Sequence, residues 1–276
     1  MHACLATVPA SPDRENEDFV AATARGAVLL DGAGTPAGSD SGCVHGVSWY
    51  VRQLGAALLI DLARDAADLT GCLRSAVAQV RDMHDGRCDL SHPGSPSATV
   101  VLVRRSGPAL DYLVLADSAL VIDRPAHDPL VITDDREARI GRDLRTCMDT
   151  LDAGTREHAD ARREYIEALR GRRNRPGGFW VASVDPDAAD EALTGSVPLT
   201  DVQAAALLSD GASRLVDRFN LATWPAALKI LATDGPAELI RRVREAEASD
   251  PHGNRWPRGK TYDDASVAYL TRWGDT

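Results

Sequence analysis

Residues 26–34 read Gly26-Ala27-Val28-Leu29-Leu30-Asp31-Gly32-Ala33-Gly34, an apolar run that stops at a carboxylate and then at glycines. Its length and its glycine boundaries predict a short buried strand over 26–31. By itself a strand ending in Asp-Gly is an ordinary turn. What Asp31 does is decided by the residues that the rest of the chain brings to it.

Toward the N-terminus, residues 2–8 form another compact apolar run. Between the two lies Asn16-Glu17-Asp18-Phe19, which leads into a third run over 20–22 and so places two carboxylates at a strand start. Toward the C-terminus, Val44, Val47, Val51, Leu54 and Leu58 step by three and four, predicting one long amphipathic helix. Thr70 is the predicted cap of a second helix with the stripe Leu73, Val77, Val80 and His84. His84 on that stripe reads as a core or boundary histidine, not as a ligand. A turn-rich link over 92–97 precedes two runs, 98–103 and 112–116, that read as a hairpin, and the second ends in Ala116-Asp117-Ser118. Segments 120–122 and 130–132 continue the meander.

A helical surface insertion is expected over about 134–200, where mixed charge is dense as far as Arg170, Arg172, Arg173 and Arg175. Those arginines read as a solvated loop, with phosphate attraction as the alternative. Asp185 before Pro186 reads as a cap with proline in the first turn. A buried strand over 204–208 halts at Ser209-Asp210-Gly211, helices follow over 212–219, 223–232 and 235–248, and Asp263-Asp264 opens a last strand over 265–270. With no repeat and no Pro- or Ser-rich linker, residues 1–276 are expected to form a single domain.

The composition narrows the function. At 276 residues, with 44% hydrophobic residues, the chain can bury a sizeable core. A net charge of -10 opposes a sequence-independent grip on nucleic acid or anionic lipid. Of the 31 basic residues only Lys229 and Lys260 are lysines, a GC-rich bias that points to a bacterial source. The five cysteines are scattered without a Cys-x-x-Cys pair, so neither a disulfide framework nor a zinc knuckle is signalled. No signal peptide or membrane span is read, and a cytoplasmic location is expected.

Carboxylates therefore recur where strands end or begin: Asp18, Asp31, Asp117, Asp210 and Asp263. Gathering them at one edge of a core is costly without cations, and oxygen-only ligands suit magnesium or manganese. Their order and surroundings resemble the metal-dependent protein phosphatases of type 2C (the PPM family), in a bacterial-type member. That family's motifs Asn-Glu-Asp, Asp-Gly-x-Gly, Gly-Asp-Ser, Ser-Asp-Gly and Asp-Asn-x-[Ser/Thr] correspond to Asn16-Glu17-Asp18, Asp31-Gly32-Ala33-Gly34, Ala116-Asp117-Ser118, Ser209-Asp210-Gly211 and Asp263-Asp264-Ala265-Ser266.

The resemblance implies an α+β fold, a four-layer α-β-β-α sandwich of two antiparallel sheets flanked by helices. It implies two Mn2+ or Mg2+ ions, with a third at a weaker site. Asp31 would bridge the two metals, with Asp210 and Asp263 completing one site. The Gly32 carbonyl, Asp18 and Glu17 would complete the other, partly through water, and Asp117 would serve the third. A metal-bridging hydroxide would then attack a phosphoserine or phosphothreonine of a protein substrate. No covalent phosphoenzyme is required, and no cysteine here has an arginine six positions later.

Departures from the family pattern concern the phosphate grip and two motif positions. The position of the family's substrate arginine is Asp13, with Arg14 one place closer to the motif, so Arg14 is a candidate, as are Arg258 and Lys260. Ala116 replaces a glycine and Asp264 an asparagine. Two other functions share this site: a catalytically weak pseudophosphatase that binds or regulates, and a hydrolase of small phosphate esters.

Overall fold

The computed structural model describes residues 1–34, 40–64, 67–125 and 127–273. Among these residues, ten strands form two five-stranded antiparallel sheets. The first has the order β1 (His2–Val8), β10 (Ala265–Thr271), β9 (Ala204–Leu208), β6 (Ala119–Asp123), β7 (Leu130–Ile132). The second has the order β2 (Asp18–Ala22), β3 (Gly26–Ala33), β4 (Ser97–Ser106), β5 (Ala109–Leu115), β8 (Leu193–Pro198).

The central strands are apolar on both faces because each face meets a different layer. In β3, Ala27 and Leu29 join Val101, Val103, Leu207 and Leu270 between the sheets. Val28 and Leu30 instead pack beneath α1 (Val47–Arg64) and α2 (Leu69–Met83), against Leu54, Leu58 and Leu73. On the opposite side, α6 (Asp210–Asp217), α7 (Trp224–Thr233) and α8 (Pro236–Ser249) cover β9 and β10 through Leu215, Leu228, Leu239 and Val243. The result is the expected α-β-β-α sandwich. Alternation along β3 puts Asp31 on the face of Ala27 and Leu29, so it ends the inter-sheet core as its polar terminus.

Two boundaries differ from the sequence reading, and the cap expected at Asp185 is present. Asp68, not Thr70, caps α2, its carboxylate accepting from the Gly71 N–H at 2.7 Å. Within the region expected to be helical, α3 (Arg136–Ile140), α4 (Arg142–Met148) and α5 (Arg156–Arg170) do form. Its last part, however, is β8, which pairs with β5 from Leu193↔Val114 to Pro198↔Ala109. Asp185 caps a 3-10 turn, Pro186–Glu191, by accepting from the Asp187 N–H at 3.0 Å. Among the described residues no helix is long and apolar enough to cross a membrane.

Candidate active site

A cavity of about 510 Å³ opens at the edge where the two sheets end. Glu17, Asp31, Gly32, Asp117, Asp210 and Asp263 all line it. Asp18 lies just behind: it is the direct Cα partner of Asp31 across β2 and β3, so both side chains leave the same face of the sheet. Asp210 is the first residue of α6, and its N–H donates to Asp31 Oδ2 at 3.2 Å.

The motif residues other than aspartates tie these segments together. Asn16 Nδ2 donates to Thr7 Oγ1 at 2.7 Å while its Oδ1 accepts from the Asp18 N–H at 2.9 Å, a double role that only an amide fills. Thr7 Oγ1 meets Ser266 Oγ at 2.7 Å, and the Ser266 N–H donates to Ser209 Oγ at 2.9 Å. Ser118 is bonded to Thr99, the Cα partner of Asp31 on β4 (2.6 Å). The glycines are there for close approach: a Cβ on Gly32 would stand 2.3 Å from the Glu17 carbonyl, and one on Gly211 2.0 Å from the Asp264 carbonyl. Gly32 also donates its N–H to that Glu17 carbonyl at 3.0 Å.

Both departures at the motif positions have a structural account. Ala116 adopts the left-handed conformation at φ 68°, where glycine carries no steric penalty. Asp264 accepts from the Ala10 N–H at 2.7 Å through Oδ1 and from the Glu17 N–H at 2.8 Å through Oδ2. Two acceptors are needed there, and a carboxylate supplies both.

The electrostatics are those of a site short of positive charge. Both Asp18 oxygens are buried without a hydrogen-bond partner, and the nearby Ser266 and Ser209 hydroxyls offset only part of the cost of burying the charge. Burial pushes the Asp18 carboxyl up to about 8, with Asp264 and Asp210 adding to the rise. Burial also lifts Asp31 well above the usual carboxylate range, and Asp18, Asp210 and Asp263 lift it further. Asp117 is raised likewise, by burial and then by Glu137 and Asp210. An all-oxygen set that its own chain leaves unneutralised fits hard divalent cations.

Asp263 is the exception. Burial works against its charge, but Lys260 Nζ at 2.5 Å from Oδ1 and Arg214 Nη2 at 2.8 Å from Oδ2 hold its carboxyl below the usual range. Arg214 is in turn anchored on the buried Glu247 at 2.7 Å.

Of the cationic candidates, Arg14 and Lys260 line the cavity and Arg258 does not. Arg258 is 1% exposed and spends its guanidinium on the Asp250 carboxylate (3.0 Å) and on the carbonyls of Trp256, Thr261, Glu247 and Asp250. It braces the loop that follows α8 and has no donor left for a phosphate, so it is withdrawn from the candidates. Within the arginine-rich loop, Arg170 and Arg173 reach the cavity wall, yet Arg173 Nη1 and Nη2 donate to the Ser95 and Pro93 carbonyls at 3.1 and 2.8 Å.

Sequence reasoning misses Glu137, Arg145, Arg162 and Tyr165, which α3, α4 and α5 bring to the same cavity. Tyr165 Oη donates to Glu137 Oε1 at 3.3 Å. Among the described residues, Arg14 and Arg162 form no ion pair. The one signal in the sequence is the density of arginines and carboxylates at helical spacing, which is shared with any solvated helix.

A model of a known protein family, "Protein phosphatase 2C", matches residues 13–248. The chain belongs to the protein phosphatase 2C family. Membership makes it a hydrolase of the serine/threonine phosphatase class. Solved structures share the phosphatase fold over nearly the whole length at low identity. The catalytic domain of the phosphatase PstP, solved with two manganese ions, is 17% identical with a TM-score of 0.56, covering 97% of this chain and 96% of that one. Stp1 from Staphylococcus aureus is 14% identical (TM-score 0.59; 99% and 95% covered). MsPP from Mycobacterium smegmatis, solved with cacodylate, is 15% identical (TM-score 0.58; 98% of each chain covered). No curated protein matches the sequence of this phosphatase.

Proposed function

We propose that this phosphatase hydrolyses phosphoserine and phosphothreonine monoesters of a protein substrate with Mn2+ or Mg2+ bound at the sheet edge. The observation that carries the reading is the buried, unpartnered Asp18 carboxylate directly behind Asp31, at a cavity edge where the four other acidic segments meet. Asp31, Asp210 and Asp263 would hold one ion, and Asp31, the Gly32 carbonyl, Asp18 and Glu17 the other, with Asp117 beside a third. Bound there, the cations would supply a water acidified toward neutral pH and a clamp on the phosphoryl oxygens.

The chain's own groups do the rest. With Asp263 holding an ion, Lys260 would release one of its oxygens, and the flexible stem would leave the ammonium free to face the phosphoryl group. Arg14 and Arg162, which have no carboxylate partner among the described residues, approach the cavity from opposite sides of the sequence to meet the same anion. Helices α3 to α5 wall one side of the cavity and exclude water, and we read the whole chain as one phosphatase domain that carries this wall as an insertion. The manganese bound to PstP supports divalent-metal dependence. A cytoplasmic location accompanies the proposal.

The test is hydrolysis of an aryl phosphate and of phosphopeptides with manganese, with magnesium and with chelator. Activity that requires metal, favours phosphopeptides over small phosphate esters, and disappears in Asp31→Asn and Asp210→Asn supports the proposal. Full activity in chelator would overturn it. A pseudophosphatase is the second reading, favoured by one observation: both Asp263 oxygens are already held by Lys260 and Arg214. Measurable turnover by the purified chain eliminates it.

A further inference from the structure

Two cysteines and two histidines meet at a place that the phosphatase chemistry does not use. Cys43 and His45 lie on the loop before α1, His84 caps the end of α2, and Cys88 follows it by four residues. None of the four lines the active-site cavity. One ligand atom from each, two thiol sulfurs and two imidazole nitrogens, lies within 4.8 Å of all the others. We propose that this cluster is a structural zinc site of Cys2His2 composition.

The distances suit the ion. Cys43 Sγ is 3.6 Å from Cys88 Sγ, and His45 Nδ1 is 3.8 Å and 3.3 Å from those two sulfurs. A tetrahedral zinc with bonds of about 2.3 Å to sulfur and 2.0–2.1 Å to nitrogen needs ligand separations of roughly 3.3–3.8 Å. The sulfurs are too far apart for a disulfide, whose bond is about 2.05 Å, and both thiols are free.

The surroundings orient the ligands as an outer shell would. His84 is 2% exposed, and its Nδ1 makes a 2.9 Å bond with the Val80 carbonyl, which places the proton on Nδ1 and leaves Nε2 as the donor atom. The His45 N–H donates to Cys43 Sγ at 3.4 Å, a contact that favours a thiolate. His45 faces both thiols through Nδ1, while its Nε2 is buried without a partner. Trp49 closes the site on one side, stacked on His45 at 4.2 Å and edge-on to His84 at 4.9 Å.

The backbone bends to build it. Gly42 and Gly46 flank the Cys43-Val44-His45 segment at φ 69° and 81°, and Asp85 and Gly86 turn the chain between His84 and Cys88 at φ 50° and 68°. The Asp89 N–H donates to the Gly42 carbonyl at 2.8 Å, joining the two loops next to the cluster. Binding follows Zn2+ + 2 Cys–SH → Zn(Cys–S)2 + 2 H+, and with two neutral imidazoles the occupied site carries no net charge, which suits its partial burial. The ion would staple the loop before α1 to the loop after α2. That second loop runs on through Pro93 and Gly94 to Ser97, all on the active-site rim.

The experiment uses the whole chain, expressed with zinc and purified under reducing conditions, then dialysed against manganese. About one zinc per chain should remain, the stoichiometry of a closed four-ligand site. It should persist in Asp31→Asn, and be absent from the Cys43→Ser/Cys88→Ser double variant. Replacement by cobalt should give the visible bands of tetrahedral coordination with thiolate-to-cobalt charge transfer. In the wild-type protein, Cys43 and Cys88 should resist alkylation until a strong chelator is added, while the exposed Cys147 reacts throughout, so the outcome does not depend on the variant folding. Absence of zinc from the wild type, retention of zinc by the double variant, or a Cys43–Cys88 disulfide in the peptide map would each overturn the proposal. Zinc content and alkylation read this site whether or not the chain hydrolyses phosphate.

Discussion

Asp18 and Asp31 are direct cross-strand partners at the mouth of a buried sheet, and among the described residues neither Asp18 oxygen has a hydrogen-bond partner. Like charges placed directly opposite destabilise a sheet. Burial raises both carboxyls, Asp18 to about 8, and repulsion from Asp18 lifts Asp31 further. An acid whose folded-state pKa lies above its unfolded value binds more protons when folded, so its stability contribution falls as pH rises from the unfolded to the folded value. In chelator, the melting temperature should therefore fall between about pH 4 and pH 8. Manganese should raise it more at pH 8 than at pH 6, as scanning fluorimetry would show. An equal metal effect at both values would refute the pairing as the origin.

Asp264→Asn restores the family's residue but takes away one of two acceptors for the Ala10 and Glu17 amides. The orphaned N–H should cost about 1–3 kcal/mol in urea unfolding with an unchanged m-value.

Ala116→Gly should act in the opposite direction. Relief of the left-handed strain at φ 68° is worth about 1 kcal/mol, read as a higher denaturation midpoint.

Arg162→Ala and Arg14→Ala test the phosphate grip. Each should raise KM for an aryl phosphate by about tenfold, the low end for a charged hydrogen bond, with a much smaller change in kcat. Steady-state kinetics with saturating manganese separates the two constants. A fall in kcat alone would assign these residues to the transition state instead.

Much of this architecture is legible in the sequence, and the gaps have physical causes. Strand β3 is readable because both of its faces are buried, which leaves an unbroken apolar run. Strand β8 is not, because Leu193-Thr194-Gly195-Ser196-Val197-Pro198 is a half-exposed edge whose polar residues resemble a loop. The five acidic segments can be ordered along the chain, but spacing alone cannot reveal that Lys260 and Arg214 clasp Asp263. Arg258 looks like a phosphate ligand by its proximity to Asp263, while its burial on Asp250 is a tertiary fact. The Cys2His2 cluster escapes because its ligands come as Cys43-x-His45 and His84-x-x-x-Cys88, paired only when the end of α2 folds against the loop before α1. His84, read from its helical stripe as a core histidine, is indeed buried, but among those ligands.

The pairing of β10 with β1 on one side and β9 on the other has a consequence for synthesis. Strand β1 precedes the other strands, yet its partner is more than 250 residues further along the chain, a loop closure that comes late. The sheet carrying β2 to β5 can assemble while the ribosome is still at work, bringing Asp18 and Asp31 together early. Asp263 and β10 are translated only after all of these. A nascent chain therefore displays half of an acidic site, and the whole site comes into being in the same step that closes the fold.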